Sequence, residues 1–120
     1  NVLEPSAGSA LAEAHAAGWG VILKEVLANG RLAGHAELAS SAVGELAARE
    51  GAGIDAVALA AGLANPWSDT VLSGAVTVAQ LESNLRALSV RLSDEDLGSL
   101  AALAEAPERY WAERAALPWS

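Results

Sequence analysis

Short apolar runs alternate with longer helical patterns along this chain, and that alternation most narrows the folds open to it. The runs are WGVILKE at residues 19–25 and DTVLSG at residues 69–74, and Asn1–Leu3 has the character of the end of a third run. Strands that alternate with helices form parallel sheets through right-handed crossovers. The sequence therefore predicts an α/β fold with a parallel sheet covered on both faces.

The remaining segments have helical periodicity or helix-start signals, separated by the loop VLANGRLAGH. The predicted helices are Ser9–Ala17, Glu37–Glu50, Ile54–Ala64, Thr77–Leu88, one that begins at Ser93, and a short one over residues 107–117. Residues 54–64 are apolar on all sides, which predicts a buried helix. In the next helix, Val78, Leu81, Leu85 and Leu88 recur at spacings of 3, 4 and 3, which predicts its core-facing side.

The predicted order is β-α-β-α-α-β-α-α, which narrows the architecture further. Eight βα units of a TIM-type barrel take about 250 residues, so a chain of 120 residues accommodates roughly three or four of them. We predict the C-terminal part of a TIM-type (α/β)8 barrel, about three βα units plus C-terminal helices. A doubly wound three-layer sheet is the alternative.

Charge and composition exclude several functions. A formal net charge of -8 with seven Lys and Arg argues against nucleic-acid partners and anionic membrane surfaces. The chain has no Cys and two His without ligand spacing, so we predict neither disulfides nor a metal site. No apolar run reaches a membrane span and no signal peptide is visible. The absence of Cys fits a reducing cytoplasm, so we predict a cytoplasmic location. A start without Met, inside a strand-like run, favours a fragment.

The stretch VLSGAVTVAQLESNL, residues 71–85, carries the strongest functional signal. Thr77 and Gln80 have the spacing of a capping box. Gly74 lies between strand and helix, where the backbone can approach a ligand, and a helix N-terminus is suited to an anion. Ser83 and Asn84 lie beside the apolar stripe. An ordinary βα turn, whose capping box only shapes the helix, is the alternative from local physics.

This stretch resembles the last strand and helix of the aldo/keto reductases, which often read V-I-P-G-A-S-S-P-E-Q-L-x-x-N-L. GVILKEVLANGRL is similar to the family's seventh strand and following loop, commonly P-L-x-x-G-x-L. NVLEP resembles the end of the sixth strand, often N-L-L-E. PERYWAERAALPW resembles the C-terminal segment of one bacterial branch, here residues 105–120. The resemblance covers essentially all 120 residues in the family's order, as the C-terminal half of its barrel.

The resemblance implies a nicotinamide cofactor, NADP(H) more than NAD(H), bound in an extended pose without a Rossmann domain. The residues that it places against the cofactor are Lys24, Glu25, Leu27, Asn29, Gly74, Ala75, Val76, Gln80, Ser83 and Asn84. Trp111 and Trp119 would form part of the substrate wall. Gly74–Ala75 stands where many members have Lys-Ser, and Gln80 where many have Arg, so the preference for a 2′-phosphate is open. Lys24 replaces an aromatic that often stacks on nicotinamide.

The family's catalytic Tyr, Lys, Asp and His come from the first half of the barrel. Tyr110 is the only Tyr of this chain, and it lies in the C-terminal segment. We therefore expect a complete protein that reduces aldehydes or ketones to alcohols, and an inactive isolated chain that supplies cofactor contacts. The alternative is a non-catalytic half-barrel module that binds or assembles. The expected partners are a small carbonyl substrate and either the N-terminal half of the barrel or a second copy.

Overall fold

In the computed structural model, which describes residues 1–118, helices surround one short parallel sheet. The elements in chain order are α1 (Gly8–Ala16), β1 (Ile22–Leu23), α2 (Ala42–Glu50), α3 (Ile54–Leu63), β2 (Thr70–Val71), α4 (Val78–Leu85), α5 (Asp94–Ala101) and α6 (Pro107–Ala115). Short 3₁₀ turns cover Ala28–Gly30, Ala36–Leu38 and Arg86–Leu88. The predicted helix-rich α/β class with parallel strands is confirmed. Within residues 1–118, no helix combines the length and apolarity needed to cross a membrane.

Helix α3 forms the centre of the core. All residues from 56 to 62 are buried, and α3 contacts α2, α4, β2 and the 3₁₀ turn Arg86–Leu88. Four of these seven residues are Ala and one is Gly, so neighbouring backbones can approach closely. The predicted buried helix over residues 54–64 is therefore confirmed, and it ends within one residue of the predicted position.

The sheet is shorter than the sequence predicts. Ile22 pairs with Thr70 and Leu23 with Val71 in parallel register, and the Leu72 N–H extends the ladder by donating to the Leu23 carbonyl at 2.9 Å. The predicted strands over residues 19–25 and 69–74 were too long, because the flanking residues bond elsewhere. The Val21 N–H, for example, donates to the Asp69 carboxylate at 2.7 Å.

The predicted strand at Asn1–Leu3 was wrong, since this segment forms a turn. The Asn1 side-chain oxygen accepts from the N–H groups of Leu3 and Glu4, both at 3.0 Å. An Asn side chain that satisfies nearby amides in this way replaces the ladder bonds that a strand needs. Leu3 is nevertheless buried, so the segment packs against the core as a turn.

The helix predicted over Glu37–Glu50 begins later, at Ala42. Ser41 has an extended backbone with ψ 166, and its hydroxyl donates to the Leu38 carbonyl at 2.6 Å. Ser competes with the helix through such local bonds, so the first part of the segment forms a separate 3₁₀ turn. The predicted end at Glu50 is confirmed, with Gly51 as a left-handed cap.

The predicted core-facing side of α4 was wrong. Val78, Leu81, Leu85 and Leu88 are exposed by 73%, 45%, 55% and 68% respectively. The residue of α4 that is buried is Asn84, whose amide is bonded to the preceding turn. The spacing shows correctly that the four apolar residues share one face, which we call the α4 stripe. In the part of the chain that the structure describes, no element covers this stripe.

Candidate functional site

The loop after β1 forms one wall of the site and has an uncommon backbone. Glu25, Ala28 and Asn29 all have positive φ, at 57°, 48° and 55°. Each such residue costs of order 1–3 kcal/mol unless the surroundings hold it. Ala28 is fully buried, and its N–H donates to the Glu25 carbonyl at 2.9 Å. The loop therefore has a compact conformation directly after the strand, which burial and hydrogen bonding stabilise.

The turn between β2 and α4 forms the opposite wall. Gly74 has φ 65°, a conformation that glycine adopts without steric cost. A side chain built at this position would meet no atom within 4 Å, so the backbone there is open to approach. Asn84 fixes the turn to the helix, since its Nδ2 donates to the Ser73 carbonyl at 2.9 Å.

The predicted capping box at the start of α4 is confirmed. The Thr77 hydroxyl accepts from the Gln80 N–H at 3.2 Å. The Gln80 carbonyl oxygen accepts from the Thr77 N–H at 3.2 Å and from the Val76 N–H at 2.9 Å. One side-chain oxygen thus satisfies two backbone donors at the helix start, and the Gln80 side chain is held in place.

The two walls face each other across a cleft with a volume of about 410 Å³. Seven of the ten residues that the sequence places against a cofactor line it, namely Glu25, Leu27, Asn29, Gly74, Ala75, Gln80 and Asn84. Its other lining residues are Val26, Gly30, Ala33, Asp55, Leu72 and Ser73. The structure therefore brings two segments that are far apart in sequence to one cleft.

Three predicted site residues lie outside this lining. Lys24 and Val76 are exposed, and Ser83 is half-buried on the next turn of α4, where its hydroxyl lies near Gly53. The structure adds Asp55, on the first turn of α3, to the lining. Its placement depends on the packing of α3 against α4, so no local sequence signal identifies it.

One of the residues that line the cleft, Glu25, forms an ion pair with Arg114 of α6. The Glu25 carboxylate accepts two hydrogen bonds from the Arg114 guanidinium of α6, and these bonds hold the pKa of Glu25 below its usual range. Arg114 also lies 5.6 Å from the Trp111 ring centre, at cation-π distance. Trp111 is half-exposed and does not line the cleft. Trp119, the other predicted wall residue, lies outside the described residues.

A second cavity of about 280 Å³ is lined by residues of α1, α3 and α5 and, among residues 1–118, shares only Val26 with the cleft. Leu11, Trp67 and Leu100 are among its mostly apolar lining residues. None of the ten predicted cofactor residues lies there. The His15 imidazole lies outside both linings and is 3.4 Å from the Asp69 carboxylate.

The comparisons with known proteins decide the family. The model of the Aldo/keto reductase family matches residues 8–105, which is most of the chain. The chain belongs to the aldo/keto reductase family. The curated proteins contain no match. The matched residues include both walls of the cleft, so the site lies within the aldo/keto reductase region. Members of this family are oxidoreductases that generally use nicotinamide cofactors.

Proposed function

We propose that the cleft holds the adenosine and pyrophosphate end of a nicotinamide dinucleotide. The observation that carries this proposal is the convergence of the two walls. The resemblance assigns the loop after β1 and the turn before α4 to the same cofactor, although about 45 residues separate them in sequence. The fold places them across one cleft with Gly74 open to close approach.

The cleft residues fit such a group chemically. One N–H of the Asn84 amide donates to the Ser73 carbonyl, so its second N–H and its carbonyl oxygen are left to bond with an adenine ring. Leu72 and Val26 supply apolar surface to the same cleft. Small residues at Gly74 and Ala75 leave room for the ribose. The family resemblance favours NADP(H) as the cofactor, with NAD(H) as the other candidate.

The complete protein, on this proposal, is a carbonyl reductase of the aldo/keto reductase barrel type. When bound, a nicotinamide supplies the hydride. The described residues of this chain bind and orient the cofactor, while α6 and Trp111 contribute to the substrate wall. We also propose a cytoplasmic location, which the absence of Cys favours.

Proton transfer requires residues from outside the cleft. Tyr110 is buried, and its hydroxyl accepts from the Asn1 side-chain amide at 2.9 Å. Burial raises the pKa of Tyr110, which makes it a poorer acid. Tyr110 therefore acts in packing, and we propose that the catalytic groups come from the N-terminal half of a barrel. The isolated chain should then show no oxidation of NADPH with an aldehyde panel, and turnover would contradict this.

A binding or assembly module without catalysis is the second candidate, and the α4 stripe favours it. Four apolar side chains on one face of a helix are exposed, and such a surface associates readily in water. We propose that it contacts either the first half of a barrel or a second copy. The two candidates differ in cofactor binding, which the module does not need.

Isothermal titration of the 120-residue chain with NADP⁺ and with NAD⁺ tests the first candidate. Ala33 lines the cleft at an exposed position, so Ala33→Trp should fill the space and weaken binding at least tenfold. Ala79→Trp is the matched control, because Ala79 is exposed and does not line the cleft. Binding that is absent in the unmodified chain, or equal in both variants, would refute the site.

A further inference from the structure

Two of the backbone donors at the entrance of α4 are already occupied by the Gln80 side chain. An anion at a helix start binds to free N–H groups. Here the N–H groups of Val76 and Thr77 both donate to the Gln80 carbonyl oxygen. An incoming phosphate would have to displace that oxygen and would lose the capping box in the process. The Gln80 oxygen therefore competes with a phosphate for these two donors.

The charges of the cleft also disfavour an additional phosphate. Its lining includes the carboxylates of Glu25 and Asp55, and within residues 1–118 it includes no Lys or Arg. The Arg114 guanidinium beside it is engaged by Glu25. A 2′-phosphate adds close to two negative charges at neutral pH to the pyrophosphate charge that both dinucleotides share, and the lining offers no fixed counter-charge for this addition. A ribose hydroxyl, by contrast, can bond to carboxylate or amide groups.

The Gln80 side chain can also donate a hydrogen bond to a ribose hydroxyl. Because its carbonyl oxygen accepts from two backbone N–H groups, its NH₂ group is the part left to donate. An NH₂ group can donate to a neutral hydroxyl, so its ligand does not need a charge. Gln80 therefore serves a ribose with a free 2′-hydroxyl without any rearrangement.

We infer that Gln80 makes the cleft select the adenosine end without a 2′-phosphate, so that the chain takes NAD(H) in preference to NADP(H). The inference rests on the proposed cofactor site and specifies its ligand. It reverses the preference that the family resemblance alone favours. Physically, one amide side chain occupies two of the backbone donors at the helix start and brings no positive charge.

Two probes that differ only in the 2′-phosphate test the inference. Adenosine 5′-monophosphate and adenosine 2′,5′-bisphosphate are titrated separately against the 120-residue chain by calorimetry at fixed ionic strength. The unmodified chain should bind the monophosphate at least threefold more tightly. Gln80→Arg should raise affinity for the bisphosphate about tenfold, as expected for a new charge-assisted bond, and leave the monophosphate within threefold.

Two control variants separate charge from helix capping. Gln80→Glu keeps a capping-box acceptor and should weaken the bisphosphate further. Thr77→Ala loosens the box without adding charge, so it should not reproduce the gain of Gln80→Arg. Tighter binding of the bisphosphate by the unmodified chain, or an unchanged ratio in Gln80→Arg, would overturn the inference while leaving the site intact. Binding of neither probe would remove the site itself.

Discussion

Helices α3 and α4 flank the same strand, yet the chain treats their apolar residues in opposite ways. In α3, every residue from 56 to 62 is buried. In α4, the buried residue is the polar Asn84, and the apolar stripe is exposed. Both helices have a clear apolar signal in the sequence. The difference shows that hydrophobic periodicity identifies a face but does not identify the element that covers it.

The two helices are also held by different forces. Helix α3 is held by apolar burial against several elements. Helix α4 is held by polar contacts: the capping box, the bond from Asn84 to Ser73, and the Arg86 guanidinium on the Gly51 carbonyl at 2.5 Å. Polar contacts orient a helix more sharply than they stabilise it. Such a helix suits the edge of a binding cleft and an interface that is completed by another element.

The largest expected effect comes from equal truncations in the two helices. Leu59 of α3 is 3% exposed and Leu81 of α4 is 45% exposed. Leu59→Ala should lower the free energy of unfolding by about 2–5 kcal/mol, whereas Leu81→Ala should lower it by roughly 0.5 kcal/mol or less. Urea denaturation of both variants measures the difference. Equal losses would mean that the α4 stripe is covered in solution.

Loss of the α4 cap should have the next largest effect. Thr77→Ala removes the hydroxyl that accepts from the Gln80 N–H and should cost about 1 kcal/mol. Because the cap acts locally, amide hydrogen exchange should accelerate in α4 and remain unchanged in α3. If protection falls equally in both helices, α4 does not open independently of the core, and the contrast between them is lost.

Low pH should destabilise α5 more than α4. Helix α5 begins with a second capping box, formed by Ser93 and Asp96. The Arg49 guanidinium and the Ser93 N–H hold the pKa of the Asp96 carboxyl far below its usual range. A depressed pKa stabilises the fold above the unfolded pKa of about 3.9 and loses that contribution as the pH falls through the folded pKa. Protection of α5 should therefore fall below about pH 4.

The box of α4 serves as the internal control for this acid effect, since Thr77 and Gln80 do not titrate. Hydrogen exchange measured at pH 7 and pH 3 should show a greater relative loss in α5 than in α4. Asp96→Asn should reduce that pH dependence, with the rest due to other paired carboxylates such as Glu25 and Glu105. An unchanged pH response in Asp96→Asn would contradict the assignment.

The smallest effect on stability should come from making the α4 stripe polar. Leu85 and Leu88 are exposed by 55% and 68%, so replacing both by Gln should change the free energy of unfolding by roughly 0.5 kcal/mol or less per site. Light scattering should show reduced self-association. A monomeric unmodified chain at high concentration would instead exclude self-association through the stripe.

The sequence predicts the local features of this fold better than the long-range ones. The capping box of α4, the buried α3 and the parallel pairing follow from spacing and composition. The strand at Asn1 and the long helix before Ala42 were wrong because Asn1 and Ser41 bond to nearby backbone groups. The α4 stripe was predicted as buried because spacing alone cannot show which elements are present to cover it.

The candidate site likewise combines residues that the local sequence predicts with one that depends on long-range packing. Gly74, Gln80 and Asn84 follow from one continuous stretch with a family pattern, and they meet the loop after β1 across the cleft. Asp55 could not be predicted, because the packing of α3 brings it to the cleft. The assignment of Gly74, Gln80 and Asn84 to a cofactor stays a prediction. So does the prediction that Trp111 forms part of the substrate wall.

Mapping of a bound nicotinamide dinucleotide tests the central claim most directly. NAD⁺ is added to ¹⁵N-labelled chain, and backbone amide shifts are followed by NMR. We expect chemical-shift changes at Leu27, Asn29, Gly74, Ala75 and Asn84, which line the cleft from both walls. Shifts confined to Leu11, Trp67 and their neighbours in the apolar cavity, or no shifts at millimolar NAD⁺, would contradict it.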